Sequence, residues 1–291
     1  MTLDRPAVMG IVNVTPDSFS DGGRYLDAGA AVAHGLELVA AGADILDVGG
    51  ESTRPGAVPV EAGEEIRRVV PVVRRLAAEG GVPVSVDTMK ASVAAAALEA
   101  GAGVVNDVSA GRADPDMLPV VARAGAGYVA MHMLGTPATM QDDPRYDDVV
   151  AEVGDFLEQR LEAAAAAGVP VEGLMADPGI GFGKTRAHNL ELLRRLPELV
   201  ERLALVPVLV GTSRKGFIGQ VLAGPDGPPL PPGEREEGTL ATVVWAFDRG
   251  AAMVRVHDVR PAVEAARLLA ALAAASPSDP DPEVTWRPPV R

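Results

Sequence analysis

The chain has 291 residues, a length that fits one large α/β domain or two smaller ones. Hydrophobic residues make up 47% but aromatic residues only 3%, so the core must be aliphatic, as in parallel strands buried by helices. A formal net charge of −14 disfavours binding to nucleic acid or anionic membranes, and the lack of cysteine excludes disulfides and thiol chemistry. No cleavable signal or long apolar run is present, which fits a cytoplasmic protein.

Short apolar segments alternate with helical patterns along the chain. Eight of them have the length and aliphatic content of buried parallel strands: Val8–Val14, Asp44–Val48, Val82–Val86, Val104–Asp107, Tyr128–Met131, Leu174–Ala176, Val206–Val210 and Ala252–Val256. Apolar residues three and four positions apart predict helices between them, most clearly at Ala28–Ala41, Glu64–Glu79 and Tyr146–Ala167. Eight such units within residues 1–274 predict a single-domain α/β fold, the TIM (β/α)8 barrel. A doubly wound open sheet is the alternative, but the glycine-rich turn that normally follows its first strand is missing.

Three connections and the C-terminal stretch depart from this pattern. Thr15–Asp27 and Gly49–Gly63 follow the first two strands, and their glycine, serine, aspartate and proline content predicts long mobile loops over the barrel mouth. A Pro/Gly-rich insertion, Ala223–Glu237, splits the helix after the seventh strand. Residues 275–291 are rich in proline and aspartate and predict a disordered tail.

Polar side chains close the predicted strands at their carboxyl ends, where a barrel keeps its active site. Asn13 ends the first strand, and its amide oxygen could bind a hard cation together with Asp17 or Asp21 of the next loop. Alternatively, these residues form an Asx turn that caps a helix. In the loop after the second strand, Arg54 offers a planar fork for phosphate or carboxylate, although a lone loop arginine is usually solvated.

Three further strand ends place Asp87, Asn106 and Asp177 at the same mouth. Carboxylates and an amide there suit a heterocycle with an alternating donor and acceptor edge, such as an aminopyrimidine. The alternative is that these side chains only cap the layers of the barrel interior. Asp47 leaves its role open, because it can equally be a structural partner.

The stretch 208–219 predicts a buried strand, a polar turn and the start of a helix. Ser213, Arg214 and Lys215 lie in the turn, where free backbone N–H groups attract anions. Lys215 is one of only three lysines in the chain, so a role in solubility alone is a weak explanation for it. The alternative is an ordinary turn in which the serine caps the helix.

Arg255 and His257 end the eighth strand and share one face by alternation. With Arg54 and Lys215 they gather positive charge at the mouth of an acidic protein, which predicts a phosphate or diphosphate ligand. A surface salt bridge is the alternative for Arg255, and His132, at the end of the fifth strand, could face the site or pack below it. The sequence has no Ser-His-Asp order, glutamate pair or histidine metal cluster, so the predicted reaction relies on positioning, leaving-group neutralisation and a metal.

Long motifs of the chain resemble those of the dihydropteroate synthases, folate-pathway enzymes of the pterin-binding barrel family. The resemblance covers roughly residues 6–272 and is carried by Met9–Gly23, Asp47–Gly56, Asp177–Lys184, Gly211–Gly219 and Arg255–Val259. It implies the condensation of 6-hydroxymethyl-7,8-dihydropterin diphosphate with p-aminobenzoate to give 7,8-dihydropteroate and diphosphate.

The resemblance also implies a role for each matching residue. The pterin would be held by Asp87, Asn106, Asp177 and Lys215, the diphosphate by Asn13, Arg54, Arg255 and His257, and p-aminobenzoate by Thr53, Arg54, Phe182, Lys215 and Ser213 at the helix N-terminus. Asn13 would also bind Mg²⁺, the implied cofactor. The catalytic residues would be Asp87, Lys215 and Arg255, with Asp87 stabilising positive charge on the pterin as diphosphate leaves.

Two other functions share parts of this pattern. The pterin domain of a methyltetrahydrofolate methyltransferase needs neither a diphosphate cluster nor a p-aminobenzoate turn, so Arg54, Ser213 and His257 argue against it. A non-catalytic paralogue could keep the fold and bind a pterin or a partner without turnover. The family resemblance further implies a homodimer formed away from the mouth, and it implies that sulfonamides, which mimic p-aminobenzoate, target the protein.

Overall fold

The structure, a computed structural model, describes residues 5–15, 28–54, 56–203, 206–225 and 227–275. Within these ranges, parallel strands alternate with helices. The strands are β1 (Ala7–Asn13), β2 (Ile45–Gly49), β3 (Val84–Asp87), β4 (Val104–Asp107), β5 (Gly127–Met131), β6 (Leu174–Asp177), β7 (Leu209–Val210) and β8 (Met253–Val256). The helices are α1 (Ala28–Ala40), α2 (Ala62–Glu79), α3 (Ala91–Glu99), α4 (Met117–Ala124), α5 (Val149–Ala166), α6 (Arg186–Arg194), α7 (Leu196–Arg202), α8 (Gly216–Leu222), α9 (Glu236–Asp248) and α10 (Val259–Ala274).

The strands form one parallel sheet in the order β6-β5-β4-β3-β2-β1-β8-β7. Its two edges meet, because Ala176 of β6 forms a parallel bridge with Val208 and donates its N–H to the Pro207 carbonyl. The sheet therefore closes on itself, and the predicted TIM barrel is confirmed. The open-sheet alternative is wrong, since an open sheet would leave these edges unpaired.

All eight predicted strands are present, and their ends differ from the prediction by at most three residues. Four of the helices are followed by a glycine and then an alanine, and this repeat has a clear physical basis. Gly42, Gly101, Gly125 and Gly250 all have positive φ angles, between 63° and 112°, at the point where a helix turns toward the next strand. Only glycine adopts this left-handed conformation without strain.

The buried apolar residues form several clusters, two of which lie away from the site wall described below. Aliphatic side chains between the strands and the surrounding helices form the larger cluster, which includes Val8, Leu46 and Val105. Met9, Ile45 and Leu209 form a separate cluster of buried residues. Inward-pointing apolar side chains fill a barrel of this size, so its functional groups are confined to the mouth.

Two of the irregular segments lie outside the described residues. They are residues 16–27 of the first predicted loop, which include Asp17 and Asp21, and residues 276–291 of the predicted tail. The insertion is described apart from residue 226, and it separates α8 from α9 as predicted. Among the described helices, none is long and apolar enough to cross a membrane.

Candidate active site

The sheet register brings three of the predicted polar side chains to one level of the mouth. Asn13 pairs with Gly49, Gly49 with Asp87, and Asp87 with Asn106, across four neighbouring strands. Asp177 is the last residue of β6 and completes the polar rim. Each lies at or next to the carboxyl end of its strand, which is the functional face of a TIM barrel.

Arg255 lies at the centre of this rim and binds two carboxylates. Its Nε donates to Asp47 Oδ2 at 2.6 Å and its Nη2 donates to Asp87 Oδ2 at 2.8 Å. Asn106 Nδ2 donates to the same Asp47 oxygen at 2.9 Å. The surface salt bridge considered for Arg255 is therefore wrong, and the fully buried Asp47 is the structural partner that the sequence left open.

Several acceptors of the rim have no partner. Asp47 Oδ1 and Asn106 Oδ1 are buried and accept no hydrogen bond from the described residues. Asp177 accepts the Gly179 N–H through Oδ1 at 2.7 Å and has no second partner among them. Because an unpaired buried acceptor costs about 1–3 kcal/mol, these oxygens favour a ligand that brings N–H donors.

The acidity of the rim carboxylates is reduced. Burial raises the pKa of Asp87 to about 7, and the negative charge of Asp47 adds to this although Arg255 opposes it. One guanidinium shared by two carboxylates leaves an excess negative charge, which adds to the effect of burial. Burial also raises the pKa of Asp177 to about 6 against its Gly179 hydrogen bond. Shifted pKa values in a cleft are typical of functional sites.

Lys215 adds a positive charge to the same rim without an ion-pair partner. Its Nζ lies 3.9 Å from the centre of the Phe182 ring and makes no hydrogen bond to another described residue. Burial lowers its pKa to about 8, and the carboxylate of Asp177 opposes this shift. Because none of the described carboxylates binds this ammonium, it is available to attract an anionic partner.

The predicted position of Ser213 at a helix N-terminus is wrong. Helix α8 begins at Gly216, and the residue before it, Lys215, provides no side-chain cap. Ser213 Oγ instead lies 2.9 Å from the ring atom Nδ1 of His257. It also accepts a hydrogen bond from the backbone N–H of His257 at 3.2 Å. The capping alternative is thereby excluded, and the serine orients the imidazole.

His257 is held in its neutral form. Burial lowers its pKa to about 3, and the charges of Arg255, Arg214 and other nearby cations add to the shift. An anion bound beside the ring would oppose this shift.

Arg214 does not point its charge into the mouth. It has a positive φ of 57°, and its Nη2 donates to Asp258 at 2.9 Å. Its N–H donates to Thr239 Oγ1 at 3.0 Å, and its carbonyl accepts from Arg235 Nη1 at 2.8 Å. Hydrogen bonds from the insertion and from α9 therefore hold the turn at Arg214. Lys215, and not Arg214, is the cation of this turn that lies at the mouth.

The loop after β2 places its arginine near the mouth. Arg54 is exposed, and its positive charge contributes to the lowered pKa values of Lys215 and His257, which requires proximity. Thr53 beside it is half-buried. Arg54 therefore lies close enough to act on the rim through its charge, whereas the role of Thr53 stays a prediction.

The base of this loop is tied to the barrel by buried charges. Glu51 accepts the Val60 N–H at 2.9 Å, and Lys90 bridges Glu51 and Glu65. The side chains of Glu51 and Glu65 are only 8% and 0% exposed. These contacts fix the loop at Glu51 and Val60, and Arg54 lies between them.

Apolar side chains complete one wall of the site. Val108, Met131, Met133 and Met140 form a buried cluster, and Phe182 packs against it. A cavity of about 650 Å³ opens beside this wall, under the loops that follow β2 to β5. Methionine and aromatic side chains of this kind suit the face of a flat heterocycle.

His132 packs within the barrel wall and does not face the rim. It is buried, meets the Phe156 ring edge-on at 4.8 Å, and its Nδ1 lies 2.8 Å from Lys184 Nζ. Lys184 was not singled out from the sequence. Its signal was the scarcity of lysine in the chain, combined with a position in the glycine-rich motif after β6.

Asn13 is the described residue that fits the implied metal. Its side chain is half-buried at the end of β1 and makes no hydrogen bond to another described residue. No cluster of three or more histidine or carboxylate ligands exists within the described ranges. Since Mg²⁺ usually keeps several waters and takes few protein ligands besides substrate phosphates, one amide oxygen fits an ion that arrives with its diphosphate.

A TIM barrel with a mouth of unpaired acceptors, cations and one aromatic wall defines an enzyme that binds a heterocycle and an anion. Residues 9–257 match the family of pterin binding enzymes, so the chain belongs to that family. Within it, the chain belongs to the dihydropteroate synthases, which are transferases. It is 52% identical over 278 residues to the dihydropteroate synthase of Mycobacterium leprae (strain TN), covering 95% of this chain and 97% of that protein.

Solved structures give the same result. A Xanthomonas albilineans dihydropteroate synthase with 4-aminobenzoic acid has a TM-score of 0.87 and 51% identity, covering 95% of this chain and 96% of that one. The Yersinia pestis dihydropteroate synthase with a sulfonamide drug complex has a TM-score of 0.87 and 44% identity, covering 94% and 97%. The resemblance inferred from the motifs is therefore confirmed, and the methyltransferase alternative is not supported.

Proposed function

We propose that the chain condenses 6-hydroxymethyl-7,8-dihydropterin diphosphate with p-aminobenzoate, giving 7,8-dihydropteroate and diphosphate. The observation that carries the proposal is the set of unpaired acceptors on Asn106 and Asp177 beside the cations Arg255 and Lys215. A relative with 51% identity was solved with 4-aminobenzoic acid, which supports the same second substrate here.

The pterin binds through its amino-pyrimidinone edge. Its ring and exocyclic N–H groups donate to the Asp177 oxygen that Gly179 leaves free and to Asn106 Oδ1, which accepts no hydrogen bond from the described residues. Both acceptors are buried, so each hydrogen bond forms in a low-dielectric site where an unpaired partner would be costly. Lys215 donates to the acceptor atoms of the same ring.

The diphosphate binds on the opposite side of the rim. Arg255 uses Nε and Nη2 on its two carboxylates, which leaves Nη1 for the anion. His257 and the loop residue Arg54 face the same region and add donors. Mg²⁺ bound through Asn13 would supply further neutralisation of the leaving group.

The p-aminobenzoate binds beside the Phe182 ring and the cation Lys215, under the loop that carries Thr53 and Arg54. Its ring stacks on the aromatic wall and its carboxylate is attracted by the unpaired ammonium. Ser213 contributes from the turn by fixing His257.

The reaction requires a good leaving group and little base. The C–O bond between the pterin methylene and diphosphate breaks, and both bonding electrons leave with the diphosphate. The amine nitrogen of p-aminobenzoate then forms the new C–N bond and loses one proton to water. Asp87, ionised above its pKa of about 7, stabilises the positive charge on the pterin while Arg255 neutralises the leaving anion.

A direct assay tests this function. The purified protein is mixed with the pterin diphosphate, p-aminobenzoate and Mg²⁺, and diphosphate release is followed together with the mass of the product. We expect equimolar diphosphate and 7,8-dihydropteroate, with inhibition by a sulfonamide that competes with p-aminobenzoate. Absence of release at saturating substrates would overturn the proposal and favour the non-catalytic paralogue.

We also propose that the protein is a cytoplasmic homodimer that pairs away from the mouth. Helices α9 and α10 pack against each other and expose large apolar side chains, among them Trp245, Leu268 and Leu272. Exposed apolar groups of this size are typical of an interface. Sedimentation equilibrium is expected to give twice the 30.0 kDa chain mass, and a single chain mass would contradict the dimer.

A further inference from the structure

Lys184 is a buried lysine that the proposed reaction does not use, and burial lowers the pKa of its ammonium to about 7. The residue is 3% exposed, and none of the described carboxylates forms an ion pair with it. Its Nζ contacts three acceptors: His132 Nδ1 at 2.8 Å, the Phe182 carbonyl at 3.0 Å and the His132 carbonyl at 3.5 Å. An ammonium has three N–H donors, so these acceptors account for all of them.

His132 is built to accept this hydrogen bond. Burial lowers its pKa to about 2, with Lys184 and Arg112 adding to the shift, so the ring is neutral and one nitrogen is free to accept. The imidazole is held edge-on against Phe156 at 4.8 Å and near Tyr146 at 6.0 Å. Lys184 therefore connects a rigid part of the barrel wall to the segment after β6.

That segment, residues 178–185, is here called the Phe182 loop. Two other side chains hold it: Gln141 Nε2 donates to the Gly181 carbonyl at 2.9 Å, and Tyr146 Oη to the Gly183 carbonyl at 2.8 Å. Among the described residues, Lys184 is the one whose side chain binds the backbone carbonyl of Phe182 itself. Since a phenylalanine side chain has only two rotatable bonds, fixing its backbone greatly narrows the positions that the ring can take beside Lys215.

We propose that Lys184 is a positioning residue for the p-aminobenzoate site, acting through the backbone of Phe182. The inference rests on the proposed function, because the Phe182 ring is the wall on which the second substrate stacks. Burial of an unpaired ammonium is destabilising, and an apolar side chain of similar length would fill the same space at lower cost. The charge at this position is therefore explained by where it holds the loop.

The test compares Lys184→Met with the wild-type protein. We expect KM for p-aminobenzoate to rise roughly tenfold, about the effect of one lost charged hydrogen bond, while kcat and KM for the pterin diphosphate change less than about twofold. The melting temperature should change little, because removal of a desolvated ammonium offsets the loss of a donor for His132 Nδ1 and the Phe182 carbonyl. In a Phe182→Leu background, the same substitution should add nothing to KM.

A matched control and a rescue separate positioning from general damage. Tyr146→Phe removes a hydrogen bond to the neighbouring Gly183 carbonyl and should raise KM for p-aminobenzoate far less than Lys184→Met does. Because the chain has no cysteine, Lys184→Cys can be alkylated with 2-bromoethylamine at that site alone. The restored ammonium should return KM to within about threefold of the wild-type value.

Calorimetric binding of p-aminobenzoate distinguishes the two possible failures, since it needs no turnover. Weaker binding by the Lys184→Met protein, with a wild-type protein that releases no diphosphate, would uphold the positioning role and overturn the proposed function. An active wild-type protein with unchanged KM and binding in Lys184→Met would overturn the positioning role alone. A loss confined to kcat, or an equal loss in the Phe182→Leu background, would do the same.

Discussion

The ion pairs on the outer helices and those at the mouth differ in what surrounds them. On α2, Arg75 and Glu79 pair one turn apart at 2.9 Å with both side chains about half exposed. At the mouth, Arg255 pairs with the fully buried Asp47 and the nearly buried Asp87. Exposed pairs of the first kind contribute little to stability. The buried group of Arg255, Asp47, Asp87 and Asn106 leaves carboxylate and amide oxygens without donors. These unpaired oxygens lower the stability of the fold but remain available to accept hydrogen bonds from a ligand.

The largest effect is expected from Arg255→Met, which removes the guanidinium that binds both Asp47 and Asp87. We expect kcat/KM to fall by at least about 10³-fold, since the leaving group loses its guanidinium and Asp87 its partner. Stability should fall by about 3 kcal/mol, because Asp47 and Asp87 are left as unpaired buried carboxylates. Urea unfolding and steady-state kinetics measure the two losses, and an enzyme within tenfold of wild type would contradict the assignment.

A second substitution, Asp177→Asn, should separate stability from activity. It removes the charged acceptor for the pterin, so kcat/KM should fall roughly 10²-fold. The native pKa of about 6 lies above the ordinary value of 3.8, so the native state binds more protons between these values and wild-type stability falls as pH rises through them.

The asparagine cannot ionise and avoids that loss. The variant should therefore be more stable than wild type at pH 8, by on the order of 2 kcal/mol, with the difference shrinking as pH approaches 4. Urea unfolding at pH 4 and pH 8 measures the difference. A variant that is less stable at pH 8 would show that Asp177 is paired in the native state.

A smaller effect is expected from Arg235→Met in the insertion. Its guanidinium binds the Leu230 carbonyl at 2.7 Å and the Arg214 carbonyl at 2.8 Å, behind the turn that presents Lys215. Loosening this turn should lower kcat/KM by about tenfold. Arg260→Met is the control, because Arg260 is exposed and makes no hydrogen bond to a described residue. Equal kinetics of the two variants would mean that the insertion does not support the site.

The smallest effect is expected from Arg75→Ala, which breaks the outer pair with Glu79. The exposed guanidinium is already solvated, so melting temperature and kcat/KM should both match wild type. Differential scanning calorimetry checks the first quantity. A clear drop in melting temperature would show that the exposed ion pair contributes to stability, against the expected difference between the outer pairs and those at the mouth.

The sequence predicts the barrel and the residues of its rim well. Apolar segments alternate with helical patterns often enough to count eight strand-and-helix units. Residues at strand ends, such as Asp87 and Asn106, must lie close together because parallel strands share one carboxyl edge. Both inferences rest on local patterns and on topology.

Partners across the barrel could not be read in the same way. Arg255 is 208 residues from Asp47 in sequence, and alternation gives the face of a side chain but not the atom it meets. Arg214 is a clear case, because one positive φ angle turns it toward Asp258 and away from the mouth. Lys184 escaped notice since its partners are mostly carbonyl oxygens, which every residue type carries.

The strand pairing of the barrel is shortest between β6 and the two-residue strand β7. A single bridge between Ala176 and Val208 joins them. The Phe182 loop rises from one side of this junction and the turn with Lys215 from the other. A p-aminobenzoate molecule in contact with both segments would stabilise the pairing between β6 and β7. Amide exchange at Ala176 should therefore slow when the substrate binds, so that the second substrate completes the tertiary structure as well as the reaction.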